Sequence, residues 1–154
     1  MPLHLQIVTP EKKAFEGDVD EVIVPGSEGE LGILPHHAPL ISLLGQGVLR
    51  VKQGGQEQEF AIFGGFLQVR PDRVVVLAET ADLGSEIDLE RAERARREAE
   101  KMLQGGLAEE IDLSLARAAL QRALIRIRIA ERGRRETPRR RPSSAGLEQP
   151  PGDE

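Results

Sequence analysis

The sequence predicts an α+β protein, mainly β and then α: an N-terminal antiparallel β-sandwich or barrel followed by a C-terminal antiparallel two-helix hairpin. Apolar residues alternate with polar ones up to about residue 84, and they follow helical spacing from about residue 88. The charge also changes sign along the chain of 154 residues. Residues 1–90 hold 6 basic and 15 acidic groups, and residues 91–154 hold 15 basic and 11. Opposite charges indicate two modules with different partners.

The first module is predicted to consist of short strands joined by tight turns. Leu3, Leu5 and Ile7 alternate with more polar neighbours, as in a strand with one buried face. Gly54-Gly55 and Pro71-Asp72 are turn signals between strand-like runs. Many short strands at close spacing favour an antiparallel sandwich. The other predicted strands cover residues 22–24, 47–52, 57–63, 66–70 and 73–78.

The run from Val24 to Leu40 is unusually rich in residues that restrict the backbone. It holds three glycines and three prolines in seventeen residues, which indicates a specific path rather than a slack linker. His36 and His37 lie within it, but adjacent histidines lack the usual spacing of metal ligands. We therefore expect structural roles for them and no metal site.

The second module is predicted to form two helices that meet across a short connection. Asp88 is placed to cap the first helix and Asp112 the second, and Gly105-Gly106 ends the first. The first apolar stripe is mostly alanine, which buries little area and holds a partner weakly. The hairpin can therefore separate from a partner at modest cost. The first stripe is Leu89, Ala92, Ala95, Ala99, Met102 and Leu103, and the second is Leu113, Ala116, Leu120, Leu124 and Ile127.

Arginine dominates the second helix and the residues that follow it. Residues 113–141 hold ten arginines and two acids. Arg122 and Arg126 lie about 40° apart, opposite the apolar stripe, and no acid matches them at helical spacing before Glu131. Such a face favours an anionic partner: a phosphate, a nucleic acid or an acidic helix. The predicted domains are 1–84 (sandwich), 85–133 (hairpin) and 134–154 (a disordered basic, proline-rich tail).

Signs of catalysis are missing from the sequence. There is no cysteine, which excludes thiolate chemistry and disulfides. No phosphate-binding glycine loop and no nucleophile motif is present. We find neither a run long enough to span a bilayer nor a secretory signal, so another subunit would have to hold the protein at a membrane. The residues alone predict a non-catalytic binding or coupling module.

Several motifs resemble one family. Val24-Pro25-Gly26, the run Gly-Glu-Leu-Gly-Ile-Leu-Pro over residues 29–35, and His-Ala-Pro-Leu over residues 37–40 resemble the signature of the ε subunit of F-type ATP synthases. Gly64-Gly65-Phe66 and the segment 78–81 resemble it too, and the likeness extends over about residues 2 to 132.

The resemblance implies a rotor subunit that is not itself an enzyme. The sandwich would bind the γ subunit and the c-ring, coupling proton flow to ATP synthesis. The hairpin would lie beside the sandwich when folded. When extended, it would enter the catalytic head, meet an acidic region of the β (and α) subunits and inhibit ATP hydrolysis. The complex would lie on the cytoplasmic face of the bacterial plasma membrane, with this chain as a peripheral subunit. The implied partner contacts are Gly32, Leu34, Pro35, His37, Arg117, Arg128 and Arg132.

The same resemblance implies one regulatory ligand, ATP, and no required cofactor. Ile87-Asp88-Leu89-Glu90-Arg91-Ala92 matches the family's Ile/Leu-Asp-x-x-Arg-Ala motif. A further arginine expected seven positions after Arg91 is missing, because that position is Glu98. The implied nucleotide contacts are Asp88, Arg91, Ala92, Arg122 and Arg126.

An alternative from another class is a nucleic-acid-binding adaptor that uses the arginine-rich helix and tail. Its binding would weaken steeply with salt. The acidic β module and the absence of stacking aromatics in the basic region count against it, and the ε-subunit interpretation includes no nucleic acid.

Overall fold

In the computed structural model, which describes residues 2–105 and 109–139, eight β-strands precede two α-helices. A single 3-10 turn, Gly84–Glu86, links the two parts. The strands are β1 Leu3–Val8, β2 Lys13–Val19, β3 Glu21–Gly26, β4 Gly29–Ile33, β5 Leu40–Gln53, β6 Gln56–Arg70, β7 Arg73–Ala78 and β8 Ala81–Leu83. The helices are α1 Leu89–Gly105 and α2 Glu110–Arg139.

The strands lie in the order β2-β1-β7-β6-β5-β3-β4, with β8 paired to β6. β2 also contacts β5 and β8, so the sheet folds over on itself and encloses a core between two layers. The predicted sandwich followed by two helices is confirmed. One pairing departs from the antiparallel plan, because β1 and β7 run parallel. No hairpin joins these two strands, so no tight turn imposes opposite directions on them.

The core of the sandwich is almost wholly aliphatic. Leu3, Leu5 and Ile7 are fully buried, as their alternation predicts. Phe15 and Phe60 form an edge-to-face pair, with ring centroids 6.1 Å apart. Among the described residues no polar or charged side chain is buried. Burial of apolar area therefore supplies most of the stability of this module.

Gly64 and Gly65 bend β6 without ending it. The predicted strands 57–63 and 66–70 are one continuous strand, in which Gly65 still pairs with Leu44 and with Ala78. The two glycines have φ values of 84° and 131°. A Cβ on Gly65 would lie 2.0 Å from the carbonyl oxygen of Leu77, so only glycine fits. The sequence analysis therefore predicted two strands where the structure has one strand with a kink.

The run from Val24 to Leu40 contains a strand that the sequence did not predict. Val24 pairs with Leu31, so β3 and β4 form a hairpin. Residues 34–39 form a loop, in which His36 takes a φ of 71° and its amide donates to the carbonyl of Pro71 at 2.7 Å. β2 was also missed, and β5 extends beyond the predicted 47–52. Charged residues and glycines interrupt the apolar alternation in β2 and β4, and strand pairing outweighs that local signal.

The helices form an antiparallel hairpin. Ala92 and Ala95, in the first half of α1, share a cavity with Ala123 and Arg126, near the middle of α2, and α1 ends only a few residues before α2 begins. Asp88 Oδ1 accepts the amide of Arg91 at 3.2 Å, which is the capping bond of a helix N-terminus. Neither helix, over the described residues, has the length and apolar content needed to cross a membrane.

The start and the end of α2 differ from prediction. Asp112 lies within the first turn rather than before it, because the helix already begins at Glu110. Its carboxylate still favours the positive end of the helix. The helix continues to Arg139, past the predicted end at residue 133, because one glycine costs only about 1 kcal/mol and the residues directly after it, Arg134 to Glu136, are good helix formers. Residues 140–154 of the predicted tail lie outside the described part.

The buried faces of the helices agree with the predicted stripes only in part: Ala92, Ala99 and Ala116 are buried as predicted, and other stripe residues are not. Met102 of α1 and Leu124 of α2 are nearly half exposed. α2 contacts both α1 and the sheet, so its buried face is wider than one stripe and is rotated from the predicted position. The buried side chains are Ala92 and Ala99 in α1, and Ala116, Ala123, Ile125, Ile129 and Ala130 in α2.

A charged cluster joins the outer strand β2 to β1. His4 Nδ1 lies 3.0 Å from Asp18 Oδ1, and its Nε2 lies 3.0 Å from Glu16 Oε2. Hydrogen bonds to Asp18 and then to Glu16 raise the pKa of His4. Lys13 and then His4 and Gln6 lower the pKa of Glu16 to about 2. Both nitrogens of His4 therefore act as donors when the ring is protonated.

We predict that this cluster makes stability depend on pH. The stability that His4 contributes is complete below its ordinary pKa of 6.5, and it is lost as pH rises through the raised pKa of the folded state. The Glu16 contribution is present above 4.5 and is lost as pH falls through about 2. Urea unfolding of wild type and His4→Gln at about pH 5.5 and about pH 8.5 should show a larger difference at the lower pH. Equal differences at both pH values would contradict the role of His4.

Candidate functional site

The hairpin rests on the sandwich through a small apolar contact of its own. Ile125 and Ile129 of α2 pack against Ala61 and Phe63 of β6, and this cluster is separate from the sandwich core. Val48 and Ile87 border it. So few side chains bury only a modest area, and the stabilisation of docking scales with that area.

A close approach between α2 and the 3-10 turn, together with an ion pair, reinforces this contact near the end of β8. A Cβ on Gly84 would lie 2.5 Å from Ile129 Cγ2, so α2 lies directly against the 3-10 turn. Arg132 Nη1 lies 2.8 Å from Glu59 Oε2. This pair joins the hairpin to β6, one turn of helix beyond Ile129.

Arg126 makes two contacts with the sandwich. Its Nε donates to Asp82 Oδ2 at 2.8 Å, and its guanidinium lies 4.7 Å from the centroid of the Phe63 ring. Arg122 lies over the same ring at 5.9 Å. Roughly a third of each side chain of the Arg126–Asp82 pair is exposed. Such a pair contributes roughly 0.2–1 kcal/mol, and the ring contact a similar amount.

A cavity of about 610 Å³ opens where the β1–β2 turn, the segment after β8 and both helices meet. It brings together four of the five predicted nucleotide contacts: Asp88, Arg91, Ala92 and Arg126. The fifth, Arg122, is not part of its lining, and its guanidinium faces Phe63 instead. The lining is Lys12, Asp82, Leu83, Glu86, Ile87, Asp88, Arg91, Ala92, Ala95, Ala123 and Arg126.

The charges around this cavity come from several elements. Asp82 is paired with Arg126, and Asp88 accepts a helix amide. Arg91 carries its charge into the cavity from the first turn of α1. Glu98, which occupies the position of the missing arginine, is exposed and is not part of the lining. The lining therefore brings three cations, three acids and three alanines together at one cavity.

The predicted partner contacts lie on both modules. Gly32 is exposed on β4, and Leu34 is 56% exposed in the loop that also holds Pro35 and His37. His37 Nδ1 lies 2.8 Å from the carbonyl oxygen of Ala38, which fixes its ring against the loop. The structure therefore places these four residues close together along the chain at one end of the sandwich.

The predicted basic contacts lie on α2. Arg117 lies 3.8 Å from Glu110 of its own helix, Arg132 pairs with Glu59, and Arg128 is exposed. Together with Arg126, these residues show that part of the arginine face meets acids of the same chain. That outcome was not among the anionic partners considered from the sequence.

Sequence reasoning missed an exposed apolar face on the sandwich. Leu43, Phe66 and Leu77 lie side by side on β5, β6 and β7 and are each at least half exposed. Ile41, two residues before Leu43 on the same face of β5, is 73% exposed. A groove of about 570 Å³ runs beside them. The sequence carried one sign of this face: at residues 40–44, apolar residues occupy positions on both faces of the strand.

Lys12, Phe63 and Asp82 were missed as well. Their contacts join segments that are far apart in sequence, and neither periodicity nor motif connects a turn lysine or a strand acid to a helix. Asp82, for example, is 44 positions from its partner Arg126.

The fold and the site define a class of two-module proteins in which a β-sandwich carries a helix hairpin docked by a few side chains. The family model for the β-sandwich domain of the ATP synthase delta/epsilon chain matches residues 2–84. The model for the long α-helix domain of that chain matches residues 85–131. The chain belongs to the ATP synthase epsilon chain family.

Relatives of known name agree over most of the chain. The ATP synthase epsilon chain of Halalkalibacterium halodurans is 50% identical over 130 residues, covering 84% of this chain and 98% of the relative. That of Desulforamulus reducens is 50% identical over 128 residues, covering 83% and 96%.

A solved structure shows the same fold. A chain of the Euglena gracilis mitochondrial ATP synthase superposes with a TM-score of 0.62 at 24% identity, covering 88% of this chain and 81% of that one. At this level of identity the likeness concerns the fold.

We predict that Ile129→Ala loosens the hairpin and leaves the sandwich folded. Ile129 is 1% exposed and belongs to the small docking cluster, so its truncation should destabilise docking by about 2 kcal/mol or more. Hydrogen exchange should show lost protection in residues 89–105 and 110–132 and unchanged protection in the core strands.

The matched control is Leu124→Ala, five residues earlier on the same helix and 45% exposed. It should change protection of the hairpin little. If both variants behave alike, or if Ile129→Ala unfolds the sandwich as well, the docking cluster does not act as a separate unit.

Proposed function

We propose that the chain is the non-catalytic ε subunit of an ATP synthase central stalk, which couples proton translocation to ATP synthesis. The observation that carries the proposal is the exposed apolar row Leu43, Phe66 and Leu77 on a sandwich of this family. A contiguous apolar face of this kind marks a protein–protein contact. A structural neighbour of this fold comes from a Tetrahymena thermophila central stalk and c-ring (TM-score 0.55, 15% identity).

The proposed partners of the sandwich are the γ subunit and the c-ring. The apolar row fits a partner that buries it permanently, as γ would in a rotor. The loop with Leu34, Pro35 and His37, and Gly32 beside it, would contribute to the contact surface at the end of the sandwich. The chain would then be a peripheral subunit, held at the cytoplasmic face of the bacterial plasma membrane by the complex.

The hairpin would regulate ATP hydrolysis by leaving the sandwich. Its docking depends on a small apolar cluster and on partly exposed ion pairs, so release costs little. Release frees Arg126 and Arg132 from Asp82 and Glu59. The same guanidinium groups, with Arg117 and Arg128, could then pair with an acidic region of the β and α subunits.

ATP would favour the folded hairpin. The cavity that holds Asp88, Arg91, Ala92 and Arg126 exists only while the helices and the sandwich are together, because its lining comes from both. A ligand that binds the folded state stabilises it by mass action. Arg122 would have to turn away from Phe63 to reach such a ligand.

We predict that Phe66→Asp abolishes stable binding to a co-expressed γ subunit. The side chain is 55% exposed, so the isolated subunit should remain folded. A carboxylate in a desolvated apolar contact should weaken binding on the order of a hundredfold. The measurement is co-purification, with circular dichroism to check folding.

Leu115→Asp is the matched control, since Leu115 is 67% exposed but lies on α2, away from the apolar row. It should co-purify as wild type does. Retention of γ by Phe66→Asp would refute the assignment of this face.

We predict that the isolated chain binds ATP and that Arg122→Ala with Arg126→Ala weakens binding about tenfold or more, because charged phosphate contacts are lost. Isothermal titration measures both affinities. Arg128→Ala, an exposed arginine outside the cavity lining, should retain the wild-type affinity. Heat from wild type no larger than that from the double variant would exclude the nucleotide site.

A further inference from the structure

Lys12 belongs to the sandwich and lines the cavity, and hydrogen bonds hold its backbone in place. It lies in the turn between β1 and β2, where three hydrogen bonds join it to Thr9. The Thr9 amide donates to the Lys12 carbonyl at 2.8 Å, the Lys12 amide donates to Thr9 Oγ1 at 3.2 Å, and Thr9 Oγ1 donates to the Lys12 carbonyl at 3.1 Å. The backbone from which the lysine extends is therefore held firmly, and Lys12 forms part of the cavity lining.

The charge of Lys12 is not engaged within the described part of the chain. Neither Lys12 nor Arg91 forms an ion pair there, whereas the neighbouring Lys13 pairs with Glu16. Two of the acids in the lining are already engaged, Asp82 by Arg126 and Asp88 by a helix amide. Glu86 is the third acid of the lining, so its three acids balance its three cations in formal charge, but neither Lys12 nor Arg91 is held by an ion pair with one of them.

The cations come from three different elements. Lys12 lies on the sandwich, Arg91 on α1 and Arg126 on α2. An anion with several oxygen atoms, such as a phosphate chain, can accept bonds from more than one of them at once. The position seven residues after Arg91 is Glu98, which lies outside the lining, so among the described residues α1 contributes Arg91 alone as a cation to this cavity.

We propose that Lys12 binds the phosphate chain of the nucleotide, so that the ligand bridges the sandwich and both helices. This inference rests on the nucleotide binding proposed above. The bridge ties the hairpin to the sandwich directly, rather than only holding the two helices together. Binding and docking are then coupled through a single side chain on the sandwich.

The test is isothermal titration of the full chain with ATP, comparing wild type, Lys12→Gln and Lys13→Gln. Removal of one charged contact should weaken ATP binding about tenfold in Lys12→Gln. Lys13→Gln removes the same charge from the adjacent position and should stay within about twofold of wild type, since that charge is paired with Glu16 and lies outside the cavity lining.

A second measurement separates bridging from a general electrostatic effect. Hydrogen exchange of residues 89–105 at saturating ATP should show a smaller gain in protection for Lys12→Gln than for wild type at equal occupancy. An equal gain would overturn the bridge. Wild-type affinity in Lys12→Gln would overturn the Lys12 contact while leaving nucleotide binding intact, whereas absence of heat from wild type would overturn both.

Discussion

The position of the hairpin depends on the contact of Ile125 and Ile129 with Ala61 and Phe63. Every other feature that joins the two modules lies around this contact. Arg126 lies over the same phenylalanine ring, the 3-10 turn lies against Ile129, and the cavity of about 610 Å³ opens beside it. Because the contact is small, the docked arrangement depends on a few side chains, and a larger cluster would hold the hairpin on the sandwich more firmly.

Ion pairs add to the small apolar contact that holds the hairpin on the sandwich. The sandwich is acidic and α2 has more arginines than acids, and the pairs Arg126–Asp82 and Arg132–Glu59 each join an arginine of α2 to an acid of the sandwich. The charge difference between the two modules, which predicted separate partners for them, thus also allows α2 to pair with the sandwich of the same chain. Partly exposed pairs are screened by salt, so docking should be more sensitive to ionic strength than the fold of the sandwich.

Features governed by local patterns could be predicted from the sequence, and features governed by tertiary contacts could not. Alternation placed Leu3, Leu5 and Ile7 in the core, and the Asp88 cap marked the start of α1. β4, within the run from Val24 to Leu40, was missed because its pairing with β3 outweighs a weak local signal. The buried face of α2 was misjudged because the helix has two partners rather than one. Within the candidate site, the motif supplied Asp88 and Arg91, while Lys12 and Asp82 come from distant segments that only the fold brings near.

The parallel pairing of β1 with β7 sets an order of events during synthesis. β1 can pair at once with β2 across a short turn, but its other edge faces β7, and residues 9–72 separate those two strands. That edge has no partner until the chain has emerged from the ribosome as far as β7. Non-local pairing of this kind is slow because a long loop must close first. The sandwich therefore closes late, and the docking surface for α2, which includes β6 and the turn after β8, is complete only after that closure.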